Sequence, residues 1–343
     1  MNGQKILVTG GCGFIGSQFV KMQLERDESA QIINLDLLTY AGDPSNLGTW
    51  ADSPRYTFVH GDIRDPACVD ALVPGVDWVV HFAAESHVDR STGTRAGEFV
   101  ETNVLGTFVL LDAVKRLNPD AHFLQIGTDE VYGDVAAPGF PDESSRLEPS
   151  SPYSASKAGA DQLALAFAIT HGLDVRVSRC TNNYGAFQHP EKLIPLFITN
   201  ALDGLALPLY DGGTQIRDWL RVSDHCHALR TIMEKGQAGE IYNVGANQDP
   251  ERTNREITQM ILDATGAPQS LIEDRQGLRP GHDQRYAVSS QKLRQLGWSP
   301  ELDIESGIEE TVRWYTDHRS WWEARKDESY RAYYAEHYGK SDP

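Results

Sequence analysis

Ile6-Leu7-Val8-Thr9-Gly10-Gly11-Cys12-Gly13-Phe14-Ile15-Gly16 is the stretch on which the reading of this chain turns. A short apolar run ends in glycines spaced Gly-x-x-Gly-x-x-Gly, and Phe14 to Leu24 continues with helical periodicity. Strand, glycine loop, helix is the order in which a backbone can approach a pyrophosphate. The first-turn amides and the positive end of the helix dipole then face the anion. Gly10, Gly13 and Gly16, with Phe14 and Ile15 between them, are therefore the candidate phosphate loop. A second apolar run, Gln31 to Leu35, ends at Asp36, 20 residues beyond Gly16. A carboxylate there can accept both ribose hydroxyls and repels a 2′-phosphate, so the expected cofactor is NAD rather than NADP. Asp62, after a third run from Tyr56 to His60, suits the adenine edge. The competing reading of Asp62 is a helix cap or turn residue.

Working outward, further apolar runs occupy Trp78 to Phe82, Phe123 to Ile126 and Val175 to Ser178, with helical patterns near 97–117 and 152–171. Alternating elements whose strands are apolar throughout predict an α/β fold, a Rossmann-type doubly wound parallel sheet covered on both faces. After about Cys180, loops rich in Gly, Asn and Pro punctuate shorter elements. The division expected is a cofactor domain over 1–180 and a mainly substrate-binding α/β region over 181–343, with some of its segments returning to the first domain. The tail from Trp321 to Tyr338 reads as a packed amphipathic helix.

The 343 residues, 40% of them hydrophobic, are enough for a sizeable core. No apolar run is long enough for a membrane span. The start reads as a strand rather than a signal peptide. Four scattered cysteines suggest reduced thiols in a cytoplasmic protein, with neither a disulfide framework nor a metal site. A net charge of −18 disfavours nucleic acid and acidic membranes as partners. An anionic substrate would need locally clustered Arg and Lys.

Two constellations carry chemistry. Tyr153 and Lys157 are four apart, so they share a helix face. A neighbouring ammonium and a positively charged nicotinamide would favour the phenolate, which could take a hydroxyl proton while hydride leaves the same carbon. Thr128-Asp129-Glu130 follows a parallel strand, where ligands of such sheets bind. Loss of water needs a base for a C–H proton and an acid for the departing hydroxyl, and two adjacent carboxylates in unlike environments can divide those roles. Thr128 would orient the substrate hydroxyl. On spacing alone, a loop with solvated acids is as good a reading of Asp129 and Glu130.

Longer motifs settle the choice by resemblance. His81-Phe82-Ala83-Ala84-Glu85-Ser86-His87-Val88-Asp89-Arg90-Ser91, Thr128-Asp129-Glu130-Val131-Tyr132-Gly133 and Arg179-Cys180-Thr181-Asn182-Asn183-Tyr184-Gly185 resemble the dTDP-glucose 4,6-dehydratases of the extended short-chain dehydrogenase/reductase superfamily. So do His189-Pro190-Glu191-Lys192-Leu193-Ile194-Pro195, Arg217-Asp218-Trp219 and Arg279-Pro280-Gly281-His282-Asp283. The resemblance implies oxidation of the sugar at C4, elimination of water across C5–C6 and return of the hydride to C6, with NAD tightly held. Tyr153 would be the redox base, Lys157 its support, Asp129 the acid and Glu130 the base. It adds Thr39, Ile63, Ala83, Ala84, Ser86, Thr102 and Asn183 to the cofactor contacts. For the substrate it implies Ser86, His87 and Thr128 near the sugar. Asn182, Lys192 and Leu193 would line the sugar and phosphate path, with Pro208 and Tyr210 flanking the base. Arg217, Asn254, Arg279 and His282 would hold pyrophosphate and ribose. A homodimer through the 97–117 and 152–171 helices is also implied.

The chain departs from the family pattern at Gly127, where Ser is usual, at Ala186-Phe187 for Pro-Tyr, and at Asp211-Gly212-Gly213 for Gly-Asp-Gly. A dehydratase or 4-epimerase acting on a UDP-hexose stays open as the alternative enzyme. A non-catalytic NAD-binding sensor is the remote one. Epimerases of this kind lack the adjacent Asp-Glu, which separates them from this chain.

Overall fold

Strand formation follows the apolar runs. The computed structural model describes residues 3–93, 95–277 and 283–338. Among these, β1 (Lys5–Thr9), β2 (Gln31–Asp36), β3 (Tyr56–His60), β4 (Trp78–His81), β5 (His122–Thr128) and β6 (Val175–Cys180) lie in one sheet with a seventh strand, Ile241–Val244. The order across the sheet is Ile241–Val244, β6, β5, β4, β1, β2, β3, and every pairing is parallel. β4 and β6 are buried along their whole length, as strands covered on both faces must be. β3, at the edge, leaves Thr57, Phe58 and His60 exposed.

One face of the sheet is covered by helices Phe14–Arg26 and Val222–Lys235, through Phe19, Val20, Cys226 and Leu229. Helices Pro66–Leu72, Thr107–Leu117 and Pro152–His171 cover the other, through Val69, Leu110, Val114 and Ala164. Each large aliphatic side chain buried this way contributes about 1.5–3 kcal/mol. Where the sequence predicts one helix near 97–117, the structure has Ala96–Phe99, a wider π-helical segment over Val100–Gly106, and then Thr107–Leu117. Such wide turns re-aim side chains and cluster at functional sites. Here Asn103, in the wide segment, accepts the Glu85 N–H at 2.9 Å and donates to the Glu85 carbonyl at 3.0 Å and the Ser156 hydroxyl at 2.9 Å.

A second core joins helices Leu193–Asp203, Asn254–Thr265 and Ile304–Asp317. The tail splits into Arg319–Glu323 and Glu328–Tyr338, where the sequence suggests one helix, and buries Trp322, Tyr330 and Tyr334 in this second core. It also reaches the loop after β2. Arg325 pairs with Asp43, and Trp321 Nε1 donates to Asn46 Oδ1 at 3.0 Å. No helix among the described residues is long and apolar enough to cross a membrane.

Candidate active site

The chain runs outward from β1 through β2 to β3, then returns to place β4 on the other side of β1. At such a reversal the connections after the strands part, leaving a crevice at the carboxyl ends. A cleft of about 690 Å³ opens there, and its walls are the segments that leave the strands. Gly10 follows β1, Thr39 follows β2, Asp62 and Ile63 follow β3, Ala83, Ala84 and Ser86 follow β4, Asp129 and Glu130 follow β5, and Asn182 and Asn183 follow β6.

The end of the cleft at β1 and β2 has the features of a dinucleotide cradle. Gly10 has φ +73°, and a Cβ there would stand 2.7 Å from the Ala83 backbone nitrogen. Gly13 caps the helix Phe14–Arg26 without any side-chain hydrogen bond, so no side chain competes for the first-turn amides. Asp36 is 8% exposed, and its two oxygens accept the Cys12 and Leu38 amides at 2.9 and 2.8 Å. A carboxylate has lone pairs to spare beyond two such bonds. Asp62 accepts the Arg64 amide at 2.8 Å and pairs with its guanidinium at 2.7 Å, so it has a local structural partner as well as a place on the cleft. Thr102, from the π-helical segment, completes this wall. The residues fit a bound NAD.

At the other end stand the reactive groups. Ser151 starts the helix Pro152–His171 with a reciprocal cap: its hydroxyl accepts the Ser154 amide at 3.1 Å, and Ser154 Oγ accepts the Ser151 amide at 3.0 Å. Pro152 sits in the first turn, and Tyr153 and Lys157 face the cleft from the start of this helix. Lys157 is 6% exposed and its Nζ donates to the Ile126 carbonyl at 2.6 Å. Thr128 Oγ1 accepts the Glu130 amide at 3.3 Å and so caps the single tight turn Asp129–Tyr132. It also bonds Tyr153.

The electrostatics separate these groups. Burial, then the charges of Glu130 and Asp218, hold the Asp129 carboxyl well above its ordinary value of 3.8, against Arg217. Asp129 is 3% exposed, and its Oδ2 has no hydrogen-bond partner among the described residues. Its surroundings therefore favour the protonated form that a general acid needs. Burial, then Glu130 and Cys180, also pushes the Tyr153 hydroxyl well above its ordinary range. The protein's own charges thus do not produce the phenolate expected from a Tyr–Lys pair. A positive charge brought into the cleft is what would favour it.

Of the expected substrate residues, Ser86, Thr128, Asn182 and Lys192 line the cleft, whereas His87, Leu193, Pro208, Tyr210, Arg217 and Asn254 lie off it. Lys192 Nζ donates to the Ser86 carbonyl at 3.2 Å. Arg217 is buried over the Tyr286 ring at 4.2 Å and donates to the Asp283 carbonyl at 2.9 Å. Asn182 Oδ1 and Asn254 Oδ1 are buried acceptors without partners among the described residues. Arg279 and His282 lie outside the described residues. Tyr40 and Gln188, which no motif marks, also line the cleft, beside His189 and Glu191 of the motif that leads to Lys192. Tyr40 and His189 meet edge to face with ring centres 5.6 Å apart, joining the loop after β2 to the segment after β6. Tyr40 carries no spacing signal, because only the folded chain brings those loops together.

Residues 7–311 match the family described as GDP-mannose 4,6 dehydratase. The chain is 50% identical over 327 residues to a dTDP-glucose 4,6-dehydratase of Streptomyces niveus, covering 94% of this chain and 96% of that one. It is similar to the crystal structure of DesIV, a dTDP-glucose 4,6-dehydratase of Streptomyces venezuelae with NAD and TYD bound, with TM-score 0.89 and 49% identity over 94% of this chain and 100% of that one. A Thermus thermophilus UDP-glucose 4-epimerase in complex with NAD is further off, with TM-score 0.83 and 28% identity over 92% of this chain and 99% of that one.

Proposed function

This chain belongs to the GDP-mannose 4,6 dehydratase family, among the dTDP-glucose 4,6-dehydratases, and from that premise we propose that it converts dTDP-glucose to dTDP-4-keto-6-deoxyglucose with NAD as a retained cofactor. The observation that carries this reading is Asp129. A buried carboxyl whose surroundings favour its protonated form, with an unpartnered oxygen, stands in the same cleft as Tyr153 and Lys157. A 4-epimerase has no use for such an acid. Elimination of water requires one.

When bound, NAD supplies a positively charged ring that takes a hydride from the sugar and gives it back. Gly10, Gly13 and Gly16 would hold its pyrophosphate, Asp36 the adenosine ribose and Lys157 the nicotinamide ribose. Thr128 orients the C4 hydroxyl and Tyr153 takes its proton. The resulting C4 ketone acidifies the C5 proton, so oxidation precedes elimination. Glu130 removes that proton and Asp129 protonates the departing C6 hydroxyl. Each such proton transfer is worth roughly 10²–10⁴ in rate. The unpartnered oxygens of Asn182 and Asn254 suit donors on the sugar nucleotide, since buried acceptors are normally satisfied.

The division of labour goes with this reading: residues 1–180 bind mainly the cofactor and residues 181–343 mainly the sugar nucleotide, although Ile241–Val244 belongs to the first sheet. A homodimer through the 97–117 and 152–171 helices is supported by exposed Val100, Leu105, Phe108, Leu117 and Ile169 on those helices. A cytoplasmic location suits four free cysteines.

The test is to incubate the purified protein with dTDP-glucose, without added NAD, and look by mass spectrometry for loss of one water. Loss of water supports both the reaction and the retained cofactor. No change after NAD and other sugar nucleotides are supplied refutes the dehydratase reading.

A further inference from the structure

Lys157 is buried, yet its ammonium donates to a backbone carbonyl, that of Ile126. The buried carboxylate next to it in charge is Asp161, one helical turn further along Pro152–His171 and 0% exposed. Asp161 Oδ2 accepts Arg179 Nε at 2.9 Å, and Oδ1 has no partner among the described residues. Arg179, 1% exposed on β6, donates its second bond to the Tyr132 hydroxyl at 2.9 Å, which donates onward to Asn243 Oδ1 at 2.9 Å. One carboxylate thus pairs with one buried cation and lies a helical turn from another, whose charge it favours while burial opposes it. One cation belongs to the redox pair, and the other is tied to the last residue of the turn that carries Asp129 and Glu130.

Gly127 makes room for it. A Cβ at position 127 would stand 2.9 and 3.0 Å from the two Asp161 oxygens and 2.7 Å from the Ser178 carbonyl. This glycine therefore borders the carboxylate, and it is register-paired with Arg179 across β5 and β6.

We propose that Asp161 and Arg179 are positioning residues of the reaction. Asp161, one helical turn away, favours the charged form of Lys157 against its burial, and Arg179 with Tyr132 locks the dehydration turn to the helix that carries Tyr153 and Lys157. This rests on the dehydratase reading above. The titratable groups whose charge acts with that of Lys157 are Asp161 on its own helix, His81 on β4 and Cys180 on β6, while Tyr153, Asp129 and Glu130 line the same cleft. His81 is neutral, because burial and then Lys157 push it down to about 3. Of the carboxyl groups, Asp129 and Glu130 stand on the cleft wall and Asp161 lies beneath it.

Asp161→Asn keeps an acceptor for Arg179 and removes only the charge. The experiment measures single-turnover C4 oxidation, followed as reduced cofactor, across pH for the full-length protein and this variant. An opposite charge nearby shifts a titration by roughly one to three pH units. The alkaline limb of the variant should fall earlier by that amount, with KM little changed. A merely structural role would lower the rate at every pH without moving the limb, and that result overturns the proposal. Tyr132→Phe, which keeps the ring, should slow loss of water relative to oxidation by roughly tenfold to a hundredfold, the scale of a small misplacement of catalytic groups. Equal effects on the two steps overturn the locking role. Unsubstituted protein that does not turn over dTDP-glucose removes the dehydratase reading and this proposal with it. Active protein whose Asp161→Asn variant keeps its limb removes this proposal alone.

Discussion

Asp129→Asn isolates the acid role, because the structure predicts opposite consequences for stability and for rate. Asp129 is buried where its protonated form is favoured, and the Thr128 hydroxyl donates to its Oδ1 at 3.3 Å. Asparagine has the size and polarity of a neutral carboxyl and keeps that acceptor. The expected cost in stability is at most that of one hydrogen bond, about 1 kcal/mol. With pH the sign is fixed. The folded protein holds the Asp129 proton to higher pH than the unfolded chain, so the wild type loses stability as pH rises above 3.8 and through the folded value. The variant has no such loss, so the difference in melting temperature should shift in its favour as pH rises. The chemistry should behave otherwise. Removing the general acid forfeits roughly 10²–10⁴ in the elimination step, or about 3–5 kcal/mol at about 1.4 kcal/mol per decade. Oxidation at C4 precedes elimination and should survive. Rapid quench with mass spectrometry, beside the absorbance of the reduced cofactor, separates the two: the variant should accumulate reduced cofactor and release little water. Near-wild-type turnover would refute the acid role. A strongly destabilised variant would refute the neutral, isosteric picture of the site.

The other outcomes are simpler to read. Glu130→Gln should abolish exchange of the C5 proton with deuterated solvent while reduced cofactor still forms. Tyr153→Phe should slow the first oxidation by roughly 10²–10⁴, visible as the absence of any reduced cofactor in a single turnover. Asp36→Asn should weaken retention of NAD by roughly ten- to a hundredfold, the worth of a hydrogen bond to a charged group, measured as cofactor content after gel filtration. Phe108→Glu combined with Ile169→Glu, at positions 43% and 85% exposed, should give a monomer by sedimentation, and an unchanged sedimentation coefficient would move the interface elsewhere or remove it.

Six strands of the sheet were legible because each is a short run rich in apolar residues within the regular alternation of strand and helix patterns, as a parallel sheet covered on both faces requires. The seventh was not. Ile241-Tyr242-Asn243-Val244 lies beyond Cys180, where loops rich in Gly, Asn and Pro break that alternation, and the amide oxygen of Asn243 accepts the Tyr132 hydroxyl. Its membership comes from a tertiary partner that the local pattern does not encode. The π-helical segment was equally hidden, since Val100 to Gly106 has ordinary helical composition and only the contacts of Asn103 explain its width. Within the site, the glycine loop, Asp36 and the Tyr–Lys spacing are local signals. The position of Arg217 is not, because its seat on the Tyr286 ring depends on two segments far apart in sequence. Asp211 adopts φ +46°, a left-handed conformation that aspartate tolerates better than most residues and that its place in the sequence does not announce.

The late arrival of Ile241–Val244 has a consequence for synthesis on the ribosome. β6 is buried along its whole length in the finished protein, and its outer neighbour is encoded some sixty residues downstream. Until that neighbour emerges, the growing chain carries an apolar strand with one row of unpaired amides and carbonyls. Such an edge is a template for pairing with another nascent chain. Message truncated between the two strands would yield a product that aggregates, and slow translation across that interval would prolong the hazard for every copy made.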